Sequence, residues 1–227
     1  MEMDLPGILE GIQGPVALAF SYQAEDVAAL HLLLHSTAEP RDLEVFTLDT
    51  LKLFPETQGY HEAVEAFFQI PIKRYYPDPD EVRQVEEKLG EWGMRGSLED
   101  RHYCCNVRKV APLKRALAGK SVWVTGLRAA QSPTRSNLQI LEYDESHKLM
   151  KINPLVSWSE VELAVYLHRY GLPLHPLYAQ GFKSIGCAPC TRAVKEGEDI
   201  RAGRWWWENP EHKECGLHLR KAGTIKT

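Results

Sequence analysis

The chain of 227 residues is long enough for one α/β domain with a full core, or for a domain plus a small appendage. Its 44% apolar and 26% charged content is that of a soluble globular protein, and its net charge of −4 argues against a general nucleic-acid binder while leaving room for a local basic pocket. No run approaches the roughly 18 apolar residues of a membrane span, and the acidic residues 1–6 lack a signal-peptide layout. A cytoplasmic, reducing location is therefore expected, without a disulfide framework.

Short β-rich apolar runs predict buried parallel strands over residues 16–20, 43–48, 70–75 and 121–125. Helical patterns alternate with them. Residues 26–35 carry Val27, Leu30, Leu33 and Leu34 on one face, and 56–68 and 79–89 are further candidates. A helix is signposted from Ser157, with Glu160 completing a capping box, to Gly171. This alternation predicts an α/β fold with a doubly wound, mostly parallel sheet over residues 1–180. Its ligands belong outside the carboxyl ends of the strands. Residues 181–227 differ in character: three cysteines, Trp205-Trp206-Trp207, many charges and no clear strand. They read as a C-terminal extension folded over the ligand edge.

Five cysteines fall into Cys104-Cys105, Cys187-Ala188-Pro189-Cys190 and the isolated Cys215. Four clustered thiols suit a metal or iron–sulfur centre, and a lone fifth suits a nucleophile. Ser21 and Tyr22 open a loop leading into a helix, a natural phosphate site, with Glu25 and Asp26 in its first turn. Asp49 ends the second strand, where an acid can bind ribose hydroxyls or cap the next helix. Basic residues gather in three later loops: Arg108 and Lys109; Arg128 and Arg135; Arg192, Arg201 and Arg204. Arginine suits bidentate sulfate or phosphate contacts. The nine histidines show no ligand spacing, and His31, His35, His61 and His168 are assigned to helix surfaces or core edges. The three tryptophans read as a packing anchor.

These fragments occur in a familiar order. Ser21–Asp26, Leu48-Asp49-Thr50, Cys104-Cys105 with Arg108-Lys109, Gly186-Cys187-Ala188-Pro189-Cys190, Arg201-Ala202-Gly203-Arg204-Trp205 and Glu214-Cys215-Gly216-Leu217-His218 resemble the assimilatory adenylyl-sulfate reductases. These are the iron–sulfur branch of the phosphoadenylyl-sulfate reductase family, with an adenine nucleotide alpha-hydrolase-like fold. The resemblance implies a 4Fe–4S cluster on Cys104, Cys105, Cys187 and Cys190, with Lys109 between cluster and substrate. It implies that Ser21 and its loop, with Arg128, Arg201 and Arg204, hold phosphate and sulfate oxygens. It implies Cys215 as nucleophile on a mobile tail, adenosine 5′-phosphosulfate as substrate, and thioredoxin or a glutaredoxin-like dithiol as donor. A homo-oligomer is compatible with the sequence, and neither nucleic acid nor membrane is expected as a partner.

Three departures stand out: Leu51 and Gln23 replace common glycines, and Ala129-Ala130 replace a basic and an acidic residue. The alternatives are the same chemistry on 3′-phosphoadenosine 5′-phosphosulfate, an ATP-dependent thiolation or adenylation enzyme, and a zinc-stapled binding module. The second lacks its Ser-Gly-Gly-x-Asp-Ser loop, and the third leaves Cys215 and the arginines without a role.

Overall fold

The computed structural model describes residues 5–37, 42–132, 135–209 and 217. Six strands form one sheet in the order β3-β2-β1-β4-β6-β5. β1 (Val16–Ala19), β2 (Leu43–Leu48), β3 (Ile72–Tyr75) and β4 (Val122–Val124) are the four strands expected from the sequence, all but β2 shortened by a residue or two. They run parallel. β6 (Leu149–Ile152) adds parallel to β4, and β5 (Leu141–Asp144) closes that edge antiparallel. This hairpin escaped the apolar-run criterion because its strands carry Glu142, Asp144 and Lys151. An edge strand has one solvated face and needs no continuous apolar run.

The helices are α1 (Leu5–Glu10), α2 (Ala24–Leu34), α3 (Pro55–Phe68), α4 (Pro79–Leu89), α5 (Leu98–Cys105), α6 (Ala111–Leu117) and α7 (Glu160–Arg169). The start of α7 corrects the expected cap. Its N-cap is Ser159, whose hydroxyl accepts the Glu162 N–H at 3.2 Å while the Glu162 carboxylate accepts the Ser159 N–H at 2.7 Å. Ser157 and Glu160 have the same spacing, but the Glu160 carboxylate is drawn to Arg128 at 2.6 Å. A charge-assisted bond outweighs a cap that Ser159 supplies two residues later.

Both faces of the sheet are covered. Val16, Leu18 and Val45 pack with Val27, Leu30 and Leu33 of α2 and Leu163 of α7. Ala17, Phe46 and Trp123 pack on the other face with Leu113 and Leu117 of α6. Each fully buried side chain of this size contributes roughly 1.5–3 kcal/mol. A third cluster joins Val82 and Val85 of α4 to Cys104, Cys187, Cys190 and Trp205, anchoring the segment after residue 181 beside α5. Among the described residues no helix is long and apolar enough to cross a membrane. β1 lies between β2 and β4, so the strand order reverses there and opens a crevice at the carboxyl ends of β1 and β4.

Candidate active site

A cleft of about 1030 Å³, open mouth included, fills that crevice. The loop after β1 supplies Ser21 and Tyr22, β2 supplies Phe46 to Leu48, and the turn after β4 supplies Thr125 to Leu127. Tyr22 is buried at φ +65°, a left-handed conformation that costs an L-residue on the order of 1–2 kcal/mol. The reversal leaves Ser21 lining the cleft and starts α2 at Ala24. The Ser21 N–H and hydroxyl both donate to Asp26 Oδ2, at 2.5 and 2.6 Å. A Cβ at Gly126 would overlap Asp26 Oδ1, so glycine there lets the β4 turn close over the carboxyl group.

Burial pushes the Asp26 carboxyl from 3.8 up to about 7, against hydrogen bonds from Ser21. Between those values the folded chain holds a proton that the unfolded chain has lost. Stability therefore falls as pH rises through the window, by on the order of 4 kcal/mol. Asp26→Asn removes that cost. Its melting temperature relative to the parent is expected to climb from pH 4 to pH 7 and then level off. A difference independent of pH would refute the assignment.

Three of the expected cationic residues, Lys109, Arg201 and Arg204, line the cleft, as does Arg135. Arg204 is buried, donating to the Ile185 carbonyl at 3.0 Å and to Ser184 Oγ at 3.4 Å. Its guanidinium lies 4.6 Å from the Trp205 ring, as does that of Arg101. Arg128 sits elsewhere. Its Nη2 lies 2.8 Å from Glu25 and 2.6 Å from Glu160, and it borders a side chamber rather than the cleft.

Asp49 also faces away from the cleft, lining an adjoining chamber of about 500 Å³. Its Oδ1 accepts the Leu51 N–H at 3.0 Å, closing a tight turn. Leu51 in that turn is half exposed at φ +59°, the conformation for which glycine is suited. Leu51→Gly should relieve more strain than it adds chain entropy, with a net stabilisation of about 0.5–1 kcal/mol in denaturant melts. A loss of stability would show that the leucine side chain packs usefully.

The second cavity, about 380 Å³, is lined by Cys104, Cys105, Cys187 and Cys190, all free thiols. α5 ends at the adjacent pair and continues as a π-helical turn, Asn106–Val110, into α6. Arg108 from that turn donates to the Thr50 carbonyl at 2.8 Å and to Glu86 at 2.7 Å, while Lys109 reaches both cavities. Burial raises the Cys187 thiol, but Lys109, the Thr50 hydroxyl 3.2 Å away, Arg204 and Arg108 outweigh it and hold the thiol below its ordinary value. Burial and then the Cys187 charge push Cys190 up to about 11 and raise Cys104. The site thus favours one thiolate and resists more unless positive charge is added.

In the wall of this cavity, the buried Nε of Arg108 and Nε1 of Trp205 have no acceptor among the described residues. Four thiols with surplus N–H donors fit an anionic, sulfur-rich group. Among the described residues no three ligating side chains gather as a single metal ion requires. Cys215 lies outside the described residues, although Leu217, two positions on, lines the cleft.

Residues missed by sequence reasoning are Trp205, which walls both cavities, and His61, which is buried and bonded to Tyr22. The run of three tryptophans flagged the first. No sequence signal singled out His61 among the nine histidines.

A family profile described as phosphoadenosine phosphosulfate reductase domain matches residues 15–193. The chain is 49% identical over 206 residues to an adenosine 5′-phosphosulfate reductase of Allochromatium vinosum, covering 91% of this chain and 79% of that protein. It is 43% identical over 228 residues to one of Sinorhizobium fredii, covering 98% and 88%. Its fold is similar to the crystal structure of phosphoadenylyl-sulfate reductase from Candida auris in a phosphate complex, with TM-score 0.68, 24% identity and coverage of 84% and 88%. A nucleotide-sized cleft at the switch point, with four thiols behind its wall, thus sits in a chain that is an enzyme of the phosphoadenosine phosphosulfate reductase domain family.

Proposed function

We propose that the chain reduces adenosine 5′-phosphosulfate to sulfite and AMP in cytoplasmic sulfate assimilation, with thioredoxin or a glutaredoxin-like dithiol as donor. The observation that carries this reading is a shared wall: Lys109, Cys187 and Trp205 line both the nucleotide cleft and the four-thiol cavity. The names of the relatives supply the substrate.

In this reading the Cys215 thiolate attacks the sulfate sulfur, the S–O bond to the phosphate breaks and AMP leaves with that electron pair. A donor thiolate then attacks Cys215 Sγ and expels sulfite. The donor's second thiol releases Cys215, so one dithiol becomes a disulfide and supplies two electrons. Lys109, Arg201 and Arg204 stabilise charge building on the departing phosphate. Ser21 and Tyr22 shape the phosphate loop, and Asp49 fixes the turn beside it. Arg128, neutralised by Glu25 and Glu160, is a poor partner for a further phosphate, which favours this substrate over its 3′-phosphorylated form.

Cys104, Cys105, Cys187 and Cys190 would hold a 4Fe–4S cluster, which when bound supplies local charge and rigidity at the base of the cleft. The anaerobically purified chain is expected to carry about four irons and four sulfides. Cys190→Ser should lose most of both. Zinc alone in a reconstituted sample would overturn the cluster. Comparing kcat/KM for the two sulfonucleotides with thioredoxin tests the substrate, and preference for the 3′-phosphorylated one would contradict the reading.

A further inference from the structure

Tyr22 is held in its left-handed conformation by a relay that crosses four elements. Its hydroxyl lies 2.7 Å from His61 Nδ1 on α3. Arg74 Nε on β3 donates to His61 Nε2 at 3.3 Å, and its Nη1 donates to Gln58 at 2.7 Å. His61 Nε2 also lies 3.3 Å from Glu65 Oε2, so the ring is held by a cation and a carboxylate on one side and shares one hydrogen bond with the Tyr22 hydroxyl on the other. The Thr47 side chain on β2 bonds the same hydroxyl. Tyr22 also meets the edges of Phe20, Tyr60 and His61, with ring centroids 5.4, 6.2 and 5.9 Å away.

We infer that His61 is a positioning residue: through the Tyr22 hydroxyl it fixes the strained turn that presents Ser21 to the nucleotide phosphate. A left-handed tyrosine persists only where its surroundings over-determine it. Here the hydroxyl contacts determine the direction in which the ring leaves the turn, and the aromatic contacts fill the space around it. Losing the hydroxyl or its His61 partner lets the turn relax and withdraw Ser21. His61 itself lies outside the cleft, in the wall of the adjoining chamber, so its effect must pass through Tyr22.

The inference rests on the nucleotide reading and is tested by AMP binding to the cluster-bearing protein in calorimetry. Tyr22→Phe and His61→Ala are each expected to weaken AMP about tenfold, the scale on which a small misplacement costs binding. The double variant should be no weaker than either alone. His61→Asn, whose side-chain amide can keep a hydrogen-bonding atom near the Nδ1 position, should recover most of the loss. With adenosine 5′-phosphosulfate, KM should rise while kcat changes little.

A folded Tyr22→Phe protein with unchanged AMP affinity would overturn the positioning role and leave the nucleotide reading standing. Additive losses, or an asparagine variant no better than alanine, would also overturn it. A parent chain that binds no AMP would overturn the nucleotide reading and this inference together. A parent that binds AMP, responds to the variants and forms no sulfite would overturn only the reductase reading.

Discussion

Cys215→Ser is expected to lower sulfite release by at least about 10⁴-fold, the scale seen when a covalent nucleophile is removed. Two independent reasons make the loss nearly complete. A serine hydroxyl is essentially un-ionised at neutral pH, whereas a thiol of ordinary pKa near 8.5 already supplies some thiolate. Even a serine that did attack would form a sulfate ester, and no thiol exchange can release sulfite from an oxygen. The four other cysteines line the second cavity, so iron content and AMP affinity should remain near those of the parent. Leu217, two positions after Cys215 in the sequence, lines the cleft. Sulfite formation by the serine variant would move the nucleophile to another cysteine.

The second large effect is expected at Arg204. Its guanidinium is buried against Trp205 and held by Ile185 and Ser184, so its charge is preorganised and poorly screened. Arg204→Ala should cost about 10²–10³-fold in kcat/KM, comparable to losing an oxyanion donor. Arg204→Lys should recover little, since an ammonium lacks the planar fork that stacks on the indole while bonding two oxygens. Gly186→Ala is the sharper test because it leaves the arginine in place. A Cβ at position 186 would overlap Nη2 and Cζ of Arg204, so the guanidinium must shift. The alanine variant should therefore reproduce much of the Arg204→Ala defect with a smaller loss of stability. Full activity in Gly186→Ala would show that the position of Arg204 is not critical.

The residue pattern made the parallel strands legible because buried strands must be apolar on both faces, and β1 and β4 obey that rule. It missed β5, whose solvated edge permits Glu142 and Asp144, and β6, where the buried Lys151 pairs with Glu142 at 3.3 Å. It misplaced the start of α7, because Ser157 and Ser159 each have a glutamate three residues on and only the pull of Arg128 on Glu160 decides between them. The same bond is invisible in the sequence, and it takes Arg128 out of the cleft that Arg201 and Arg204 line. Leu51 illustrates the opposite case. A leucine at a position where glycine is common raised the question of a positive φ, and the backbone adopts one. The cysteine pairs were legible by spacing, but their shared wall with the nucleotide cleft depends on how Trp205 folds back between them.

In the proposed reaction, sulfur is transferred from the nucleotide to Cys215 before any reductant acts. The direct test mixes the anaerobic, dithiol-free protein with adenosine 5′-phosphosulfate and measures intact mass and released AMP together. The expected result is one added SO₃ group per chain, mapped to Cys215, with an equal amount of AMP, and sulfite released only when thioredoxin is added. AMP or sulfite formed without thioredoxin and without any adduct on Cys215 would contradict this order of steps.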